Sequence, residues 1–565
     1  MSTSLKGSDF KNRYVFRARL TARAPFHIGS GKVIERQGLV DEKNNKNIEI
    51  SGVVVDGESK PYIPGSTIRG VMRDWLRDVW QLNDRDDKKL SQILKPEIEK
   101  IKKKKTNPDE ISQETANLLM SQKSLLEVLF GSVFSEGKLE VWDARCLTCV
   151  NTPTNPALSG WDRDRLTYVA KSVAIDPDTS TARERRLYNF ELVPEGAEFE
   201  VILSGQNLSD EEAGIVLLAL EEGFNHPVSP IALGSMTKRG FGRFSVSGLE
   251  LFRLTKNDIS KWRKVIATDS MKRAGYESIC RDDFKLDNNR IKSLKDSARC
   301  SSSAVYFKQG FTFTLETPLV VRSGSSFSWE NAERSKTRNY RMKYLWAHVA
   351  DKQDNEHDIA DLYFSLRIEG DQVKPYYHIP SSSIRGSLRQ WTIRNLLPEE
   401  WWDIEKRLKE YAKQNPKPPL PRYLDDILSL FGFAINTVDR ELNKKYTCAG
   451  RLNIEADPFN GNHPLPDVHG TWNNAGNDYG PSNAGRHIKT RNPLDRITNS
   501  AKEGGLHSGL EFSKGQSFNV TLTVENLTDF DRRLIDYWCS EINNGMIRFG
   551  ALSSVGRGRV RLQEV

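Results

Sequence analysis

Two distant stretches of this chain spell nearly the same thing, Tyr62-IPGSTIRGVMRDW and His378-IPSSSIRGSLRQW. A shift of 316 lays Pro64, Ile68, Arg69, Gly70, Arg73 and Trp75 on Pro380, Ile384, Arg385, Gly386, Arg389 and Trp391. The same shift carries Gly234-SMTKRGFGRF onto Gly550-ALSSVGRGRV, so Gly234, Gly240, Gly242 and Arg243 meet Gly550, Gly556, Gly558 and Arg559. A shift of 319 aligns Gly196-AEFEVILSGQNLSD with Gly515-QSFNVTLTVENLTD, and IDPDTSTA from Ile175 with LDRITNSA from Leu494. LFGS from Leu129 and LFGF from Leu430 are a weaker match. Near the start, ARAPFHIGSG ending at Gly31 pairs with ETPLVVRSG ending at Gly324 at a shift of only 293, so the second half carries an insertion after that strand. Ordered matches at nearly one spacing mean a tandem duplication, and the 565 residues are expected to fold as two copies of one domain.

The boundaries follow from the matches. A first domain covers 1–254 with a polar insertion at about 84–124, and 255–304 is a polar linker with some helix. A second domain covers 305–565 with a charged insertion at about 325–372. Hydrophobic residues at 37% and charged residues at 28% suit a globular chain and argue against disorder. No run of apolar residues is long enough to span a membrane, and MSTSLKGSDFKNRY lacks the apolar core of a signal peptide. Six cysteines in so long a chain make no disulfide framework, which fits a reducing, cytoplasmic setting. The net charge of +8 permits a polyanionic partner without demanding one.

Within one unit, Tyr14-VFRARLTARA alternates apolar and polar residues as a half-buried strand does, and Gly310-FTFTLETPLVV is its counterpart. The IPGS turn leads into a helix that Ser66 or Thr67 can cap, with Ile68, Val71, Met72, Trp75 and Val79 as its apolar stripe. Phe199-EVILSG is a strand, Asp210-EEAGIVLLALEEGF an amphipathic helix, and Arg243-FSVSGLELFRL a closing strand. Strand, helix, strand, strand, helix, strand is the ferredoxin-like order, so the expected class is α+β: two tandem ferredoxin-like domains, each with its sheet covered by helices on one side.

KRGFGRF is the most informative heptapeptide. Gly240 and Gly242 let the backbone approach a bulky ligand, Lys238, Arg239 and Arg243 surround them with cations, and Phe241 or Phe244 offers a stacking face. The counterpart supplies Gly556, Arg557, Arg559 and Arg561. Phosphate oxygens suit such amides and guanidinium groups. For one copy, a strand-edge bulge with solvated arginines is the commoner explanation; repetition at the same spacing favours function. The IPGS turns have similar chemistry. Gly65 and Ser66, like Ser381 and Ser382, precede a helix whose free amides attract anions, while Arg69 and Arg73, like Arg385 and Arg389, share a helix face. A capped helix with solvated arginines is the competing explanation. Taken together, the two features suggest one phosphate track per unit.

An IPGS-S/T-I-R-G turn paired with a C-terminal glycine-rich loop resembles the RAMP superfamily of CRISPR-associated proteins, and the spacing is most similar to backbone subunits of type III effector complexes, the Csm/Cmr kind. Two units in one polypeptide look like the fused backbone subunits of type III-D systems. The resemblance implies that each unit grips CRISPR RNA (crRNA) while a thumb hairpin, at 173–188 and 488–501 here, kinks it at six-nucleotide intervals. It implies as partners crRNA, complementary target RNA, a large polymerase/cyclase-like subunit, small subunits and further backbone subunits. It also implies target cleavage at six-nucleotide spacing by a loop aspartate with Mg²⁺ or Mn²⁺, and no organic cofactor. A carboxylate beside a 2′-hydroxyl can serve as base or metal ligand. Spacing from His27-IGSG points to Asp41, whereas counting back from IPGS lands nearer Glu49 or Ile50; Asp56 reads as a turn residue. In the second unit Asp361 has the matching context and Asp358 is a near alternative. Loop aspartates are far more often solvated or turn residues, so only the resemblance raises these. An inert crRNA-binding scaffold is one alternative, and a crRNA-processing endoribonuclease is another. Such processing enzymes use an early histidine, and His27 is the only one here, within a strand segment where packing is the simpler role.

The remaining constellations are weaker. Cys146 and Cys149 form one CxxC without a second pair at zinc-ribbon spacing, and Cys448 is too far along to complete it. The lysine run ending at Lys105 reads as a solvated helix face, and His487 and Lys489 as a surface loop, although either could touch RNA.

Overall fold

The structure is a computed structural model. It describes residues 10–41, 46–82, 87–104, 124–132, 136–155, 158–175, 182–268, 279–298, 306–331, 340–346, 359–397, 422–433, 448–457, 471–472, 486–492 and 507–565, with isolated residues between some of these segments.

In the first unit, β1 (Asn12–Ala22) is followed by a hairpin of β2 (Gly29–Asp41) and β3 (Lys46–Val53). Helices α1 (Gly65–Asp78), α2 (Asp87–Lys104) and α3 (Leu125–Phe130) come next, then the short strands β4 (Leu139–Val141) and β5 (Arg145–Cys146). Strands β6 (Tyr168–Ile175), β7 (Ala182–Leu192) and β8 (Glu198–Gln206), helix α4 (Asp210–Asn225) and β9 (Phe244–Thr255) complete it. The main sheet runs β4-β8-β1-β9, all antiparallel, with β5 also on β8. This is the ferredoxin-like order with β1 central. Its inward positions Tyr14, Phe16, Ala18, Leu20 and Ala22 are buried, as the alternating sequence requires, and α1 closes over them with Ile68, Met72, Trp75 and Leu76.

The second unit repeats the plan. Strands β10 (Tyr306–Leu315), β11 (Arg322–Asn331), β12 (Tyr340–Trp346), β13 (Ile359–Leu362), β14 (Phe364–Glu369) and β15 (Gln372–Tyr377) precede α7 (Ser381–Leu396) and α8 (Arg422–Phe431). Then come β16 (Leu452–Ala456), β17 (Thr471–Trp472), β18 (Arg486–Arg491), β19 (His507–Phe512), β20 (Ser517–Glu525), α9 (Asp529–Asn543) and β21 (Val560–Glu564). Its sheet order, β16-β20-β10-β21, reproduces that of the first unit. The insertion expected at 325–372 holds β12 to β14, and β12 and β13 flank β11 in an accessory sheet.

Each unit has such an accessory sheet. In the first it runs β2-β3-β7-β6, with β3 parallel to β7; in the second, β13 lies parallel to β19, which pairs with β18. The β6–β7 and β18–β19 hairpins stand where the thumbs are expected. They begin at Tyr168 and Arg486, before the expected 173 and 488, because pairing continues down to the sheet; 176–181 and much of 493–506 lie outside the described residues.

The segment expected as a linker is docked. It contains α5 (Ile259–Thr268) and α6 (Asn288–Ser297). Helix α6 presses on α4 so closely that a Cβ at Gly214 would lie 2.0 Å from the Leu294 carbonyl oxygen. Arg290 pairs with Asp210 at 2.7 Å. Ile279 and Phe284 join Val15, Ile202, Phe252 and Leu254 in a small core on the back of the first sheet, so the side expected to be open is partly covered.

Candidate RNA-binding interface

The two glycine loops have the same backbone. Met236 and Leu552 are left-handed at φ 60° and 65°, each opens a single 3-10 turn, and Gly240 and Gly556 end it at φ 91° and 85°. The following glycines sit where another backbone crosses. A Cβ at Gly242 would lie 2.1 Å from the Leu233 carbonyl oxygen, and one at Gly558 1.9 Å from that of Phe549. These positions admit only glycine for structural reasons, whatever the loop binds.

The surroundings of the two loops differ. The first is seated on the second unit: a Cβ at Gly240 would lie 2.8 Å from Ser381 Oγ, Lys238 Nζ pairs with Glu525 at 2.6 Å, and Arg243 pairs with Glu455 on β16. Burial pushes the Arg243 guanidinium down to about 10. The expected RNA ligands Lys238, Gly240 and Arg243 therefore build a joint between the units. At Gly556 the corresponding space is open, and Ser553 to Gly556 are exposed.

The first IPGS turn is also satisfied from within. Helix α1 starts at Gly65 with Pro64 as its cap and no side-chain cap bond, which corrects the expected Ser66 or Thr67 cap; the Asp143 carboxylate accepts the Gly65 N–H at 2.7 Å. A Cβ at Gly65 would lie 2.2 Å from the Val141 carbonyl oxygen, while Ser66 is exposed. In the second unit, Ser381 Oγ accepts the Ala456 N–H at 3.3 Å, and Ser382 is half-buried beside it.

Arg69 donates to the Phe130 carbonyl and Arg73 to that of Gly131 at 3.1 Å, so both cap the end of α3. Arg385 donates to the Phe431 carbonyl at 2.5 Å at the end of α8. The weak LFG repeat thus has a cause: it is the helix end on which the IRG arginine rests. Arg557 bonds Glu511 at 2.9 Å and Arg559 pairs with Glu316 at 2.7 Å. Phe241 is no open stacking face. It packs edge-on to Phe190, which stacks with the thumb residue Tyr188.

One cationic cluster stands out where the units meet. Arg239, from the first glycine loop, lies beside Arg385 and Arg389 on α7 of the second unit. Burial, then the neighbouring charges of Arg389 and Arg239, push the Arg385 guanidinium down to about 10, and burial followed by Arg239 lowers Arg389. Arg385 Nε is buried without a hydrogen-bond partner, and Arg239 bonds the Tyr188 hydroxyl at 2.8 Å. Among the described residues neither Arg239 nor Arg385 forms an ion pair. Phosphate suits neighbouring guanidinium groups in charge and geometry.

The two candidate aspartates are not equivalent. Asp41 ends β2 opposite Lys46, at the far end of the β2–β3 hairpin. Asp361 is fully buried in β13, where the Tyr377 hydroxyl bonds it at 3.0 and 3.3 Å and the Leu362 N–H at 2.8 Å. Parallel pairing of Ala360 with Gly509 puts Asp361 beside Leu510, the place that Ser51 holds beside Phe190. Asp361 so placed ties β13 to β15. Asp358 lies outside the described residues, Glu49 is exposed on β3, and Asp56 accepts the Glu58 and Lys60 N–H groups as a turn residue. His27 is buried, its Nδ1 bonded to the Glu191 carbonyl at 2.8 Å. Cys146, Cys149 and Cys448 are free thiols. Among the described residues no group of three or more His, Cys, Asp or Glu side chains converges as metal ligands.

Sequence reasoning missed Glu455 and Glu525, which seat the first loop, and two buried glutamates, Glu191 and Glu511. The signal for the latter pair was present: NFEL and GLEF each bury an acid between apolar residues shortly before the shared strand.

Fold and junction together define a protein of two ferredoxin-like α+β units packed head to tail, with arginines gathered at the joint. The chain matches the RAMP superfamily over 19–245 and 312–561, and it belongs to that superfamily as a tandem RAMP protein. No curated protein sequence matches it. Membership points to a CRISPR-associated RNA-binding subunit. Among the described residues no helix is long and apolar enough to cross a membrane.

Proposed function

We propose that this chain is a cytoplasmic backbone subunit of a type III CRISPR effector complex, holding guide crRNA along its two units and cutting complementary target RNA at six-nucleotide spacing. The observation that carries the binding half is the Arg239–Arg385–Arg389 cluster, where one unit's glycine loop and the next unit's helix bring together cations that suit a phosphate. Tyr188 links that site to the first thumb, which would set the guide's bend there. The open second loop is the unmated copy of a loop that in the first unit seats on a neighbour, which supports further backbone subunits as partners.

For cutting, Asp41 is the candidate in the first unit. Its carboxylate would take the 2′-hydroxyl proton as the 2′-oxygen attacks phosphorus and the 5′-oxygen leaves. In the second unit the burial of Asp361 shifts the expectation to Asp358 or to an inert copy. The scaffold reading differs only in this step.

The test uses the assembled complex. A uniform short RNA should co-purify with it, and complementary RNA should yield products spaced by six nucleotides with 2′,3′-cyclic phosphate ends. Asp41→Asn should remove one rung with guide affinity unchanged. A ladder unaltered by Asp41→Asn, Asp358→Asn and Asp361→Asn together leaves the scaffold; absence of co-purifying RNA removes both readings.

A further inference from the structure

At the root of each thumb lies a buried glutamate with both oxygens engaged. Glu191, on β7, is gripped bidentately by Arg165 at 3.0 and 2.9 Å and accepts the Val53 N–H at 2.7 Å and the Thr167 hydroxyl at 3.1 Å. Arg36, on β2, pairs with it as well. Although burial pushes this carboxyl up, the hydrogen bonds and charges of Arg165 and Arg36 outweigh it and hold the pKa below the ordinary glutamate value. Glu511, at the matching point of β19, pairs with Arg491 of β18 and with Arg557 of the glycine loop at 2.9 Å. Exposure is 0% and 1% for the two glutamates, so neither is solvated in place of its arginines.

The thumbs need such fastening. Among the described residues, backbone pairing to the rest of the accessory sheet is a parallel contact of one residue pair, Ser51 with Phe190, in the first unit, and of two pairs in the second, with one further bridge at each root, Phe26 with Val193 and Leu319 with Phe512. A hairpin held so narrowly can swing unless side chains fix it, and a buried charge with several arginine bonds resists that swing because parting the ions strands them away from water.

We propose that Glu191 and Glu511 are positioning residues that set the two thumbs against different neighbours. Glu191 fixes the first thumb to β2, the strand that ends at Asp41, whereas Glu511 fixes the second thumb to the second glycine loop. The difference follows from one substitution between the repeats. The place of Arg557 is taken in the first unit by Phe241, which reaches the thumb root through Phe190 and leaves the glutamate to Arg36 and Arg165. The functional consequence rests on the proposed function; the mechanical one does not.

Glu191→Gln and Glu511→Gln keep the shape and remove the charge. In the full chain, amide exchange at Val169 and Leu192 should quicken roughly 10–100-fold in the first variant, and at Ile488 and Leu510 in the second, with β1 and β8 unchanged. In the complex, Glu191→Gln should slow the cut assigned to Asp41 at least about tenfold with guide affinity held, while Glu511→Gln should weaken guide retention. Should either single variant fail to fold, Glu191→Gln with Arg36→Met and Arg165→Met, or Glu511→Gln with Arg491→Met and Arg557→Met, removes the stranded cations and carries the same expectation. Unchanged thumb exchange overturns the proposal, as does exchange rising equally across the main sheet. Loosened thumbs in a chain that neither holds nor cuts RNA would retain the positioning role and overturn the proposed function instead.

Discussion

Gly240 and Gly556 form a natural controlled experiment. Both close the same turn at nearly the same left-handed φ, 91° and 85°, so alanine pays a similar backbone penalty at each, about 1–2 kcal/mol. They differ in what the new methyl would meet. At Gly556 nothing lies within 4 Å, whereas at Gly240 the Cβ would stand 2.8 Å from Ser381 Oγ and 3.1 Å from Ser381 Cβ. The hydroxyl can rotate away only by giving up its bond to the Ala456 N–H, and the Cβ cannot move without shifting the start of α7. Overpacking of this kind costs a further ~1–3 kcal/mol, and that excess belongs to the joint between the units. Amide exchange at Ala456 reads it locally. Gly240→Ala should accelerate exchange there by roughly 5–150-fold relative to Gly556→Ala, the factor that 1–3 kcal/mol converts to. Gly240→Ala should also weaken guide retention, since Arg239 moves with the loop. Equal effects of the two variants on Ala456 would refute the seating of the first loop on the second unit, and with it the composite arginine site.

Two further outcomes follow from the same geometry. His378 is held neutral by burial, which pushes its pKa down to about 4, and its Nε2 is buried without a partner. The unfolded chain takes up a proton near pH 6.5 that the folded one refuses, so stability is full above that pH and falls as pH drops toward 4, by at most roughly 3 kcal/mol. Denaturant titrations at pH 7 and pH 4.5 should show this loss shrinking in His378→Gln; an equal loss in both proteins would remove the assignment. Arg239→Gln and Arg389→Gln should each lower the steepness of the salt dependence of RNA binding by about one phosphate contact, whereas Arg559→Gln, whose partner is Glu316, should change it less. Equal slopes for all three would mean that the cluster does not face phosphate.

The duplication was legible because its anchors are backbone necessities. Gly242 and Gly558 lie against carbonyl oxygens, and Ile68 and Ile384 lie in the core, so both copies had to keep them. The ferredoxin-like order was legible for a related reason: alternation in β1 and the stripe on α1 are local patterns that survive packing. What escaped was pairing across long separations. Nothing in KRGFGRF says that Lys238 and Arg243 will find Glu525 and Glu455, more than two hundred residues on, or that Arg239 alone will be left to join Arg385. The same gap explains the aspartates, since context pointed to Asp361 as a loop aspartate but could not reveal that it would lie in β13 under the Tyr377 hydroxyl. The linker reads as polar because only a few residues, Ile279, Phe284 and Leu294 among them, do its docking.

Because 279–298 is strapped to the first unit by α6, the second unit is held near the surface it must meet. A tether of this kind replaces a bimolecular encounter by an intramolecular one, at local concentrations of order millimolar. The two halves are thereby bound to a one-to-one ratio and a fixed order along any ligand they share, and neither can be exchanged for a stray homologue during assembly. Divergence between them, such as Phe241 in one and Arg557 in the other, then carries no risk of mispairing, and each half is free to specialise for its own place in the row.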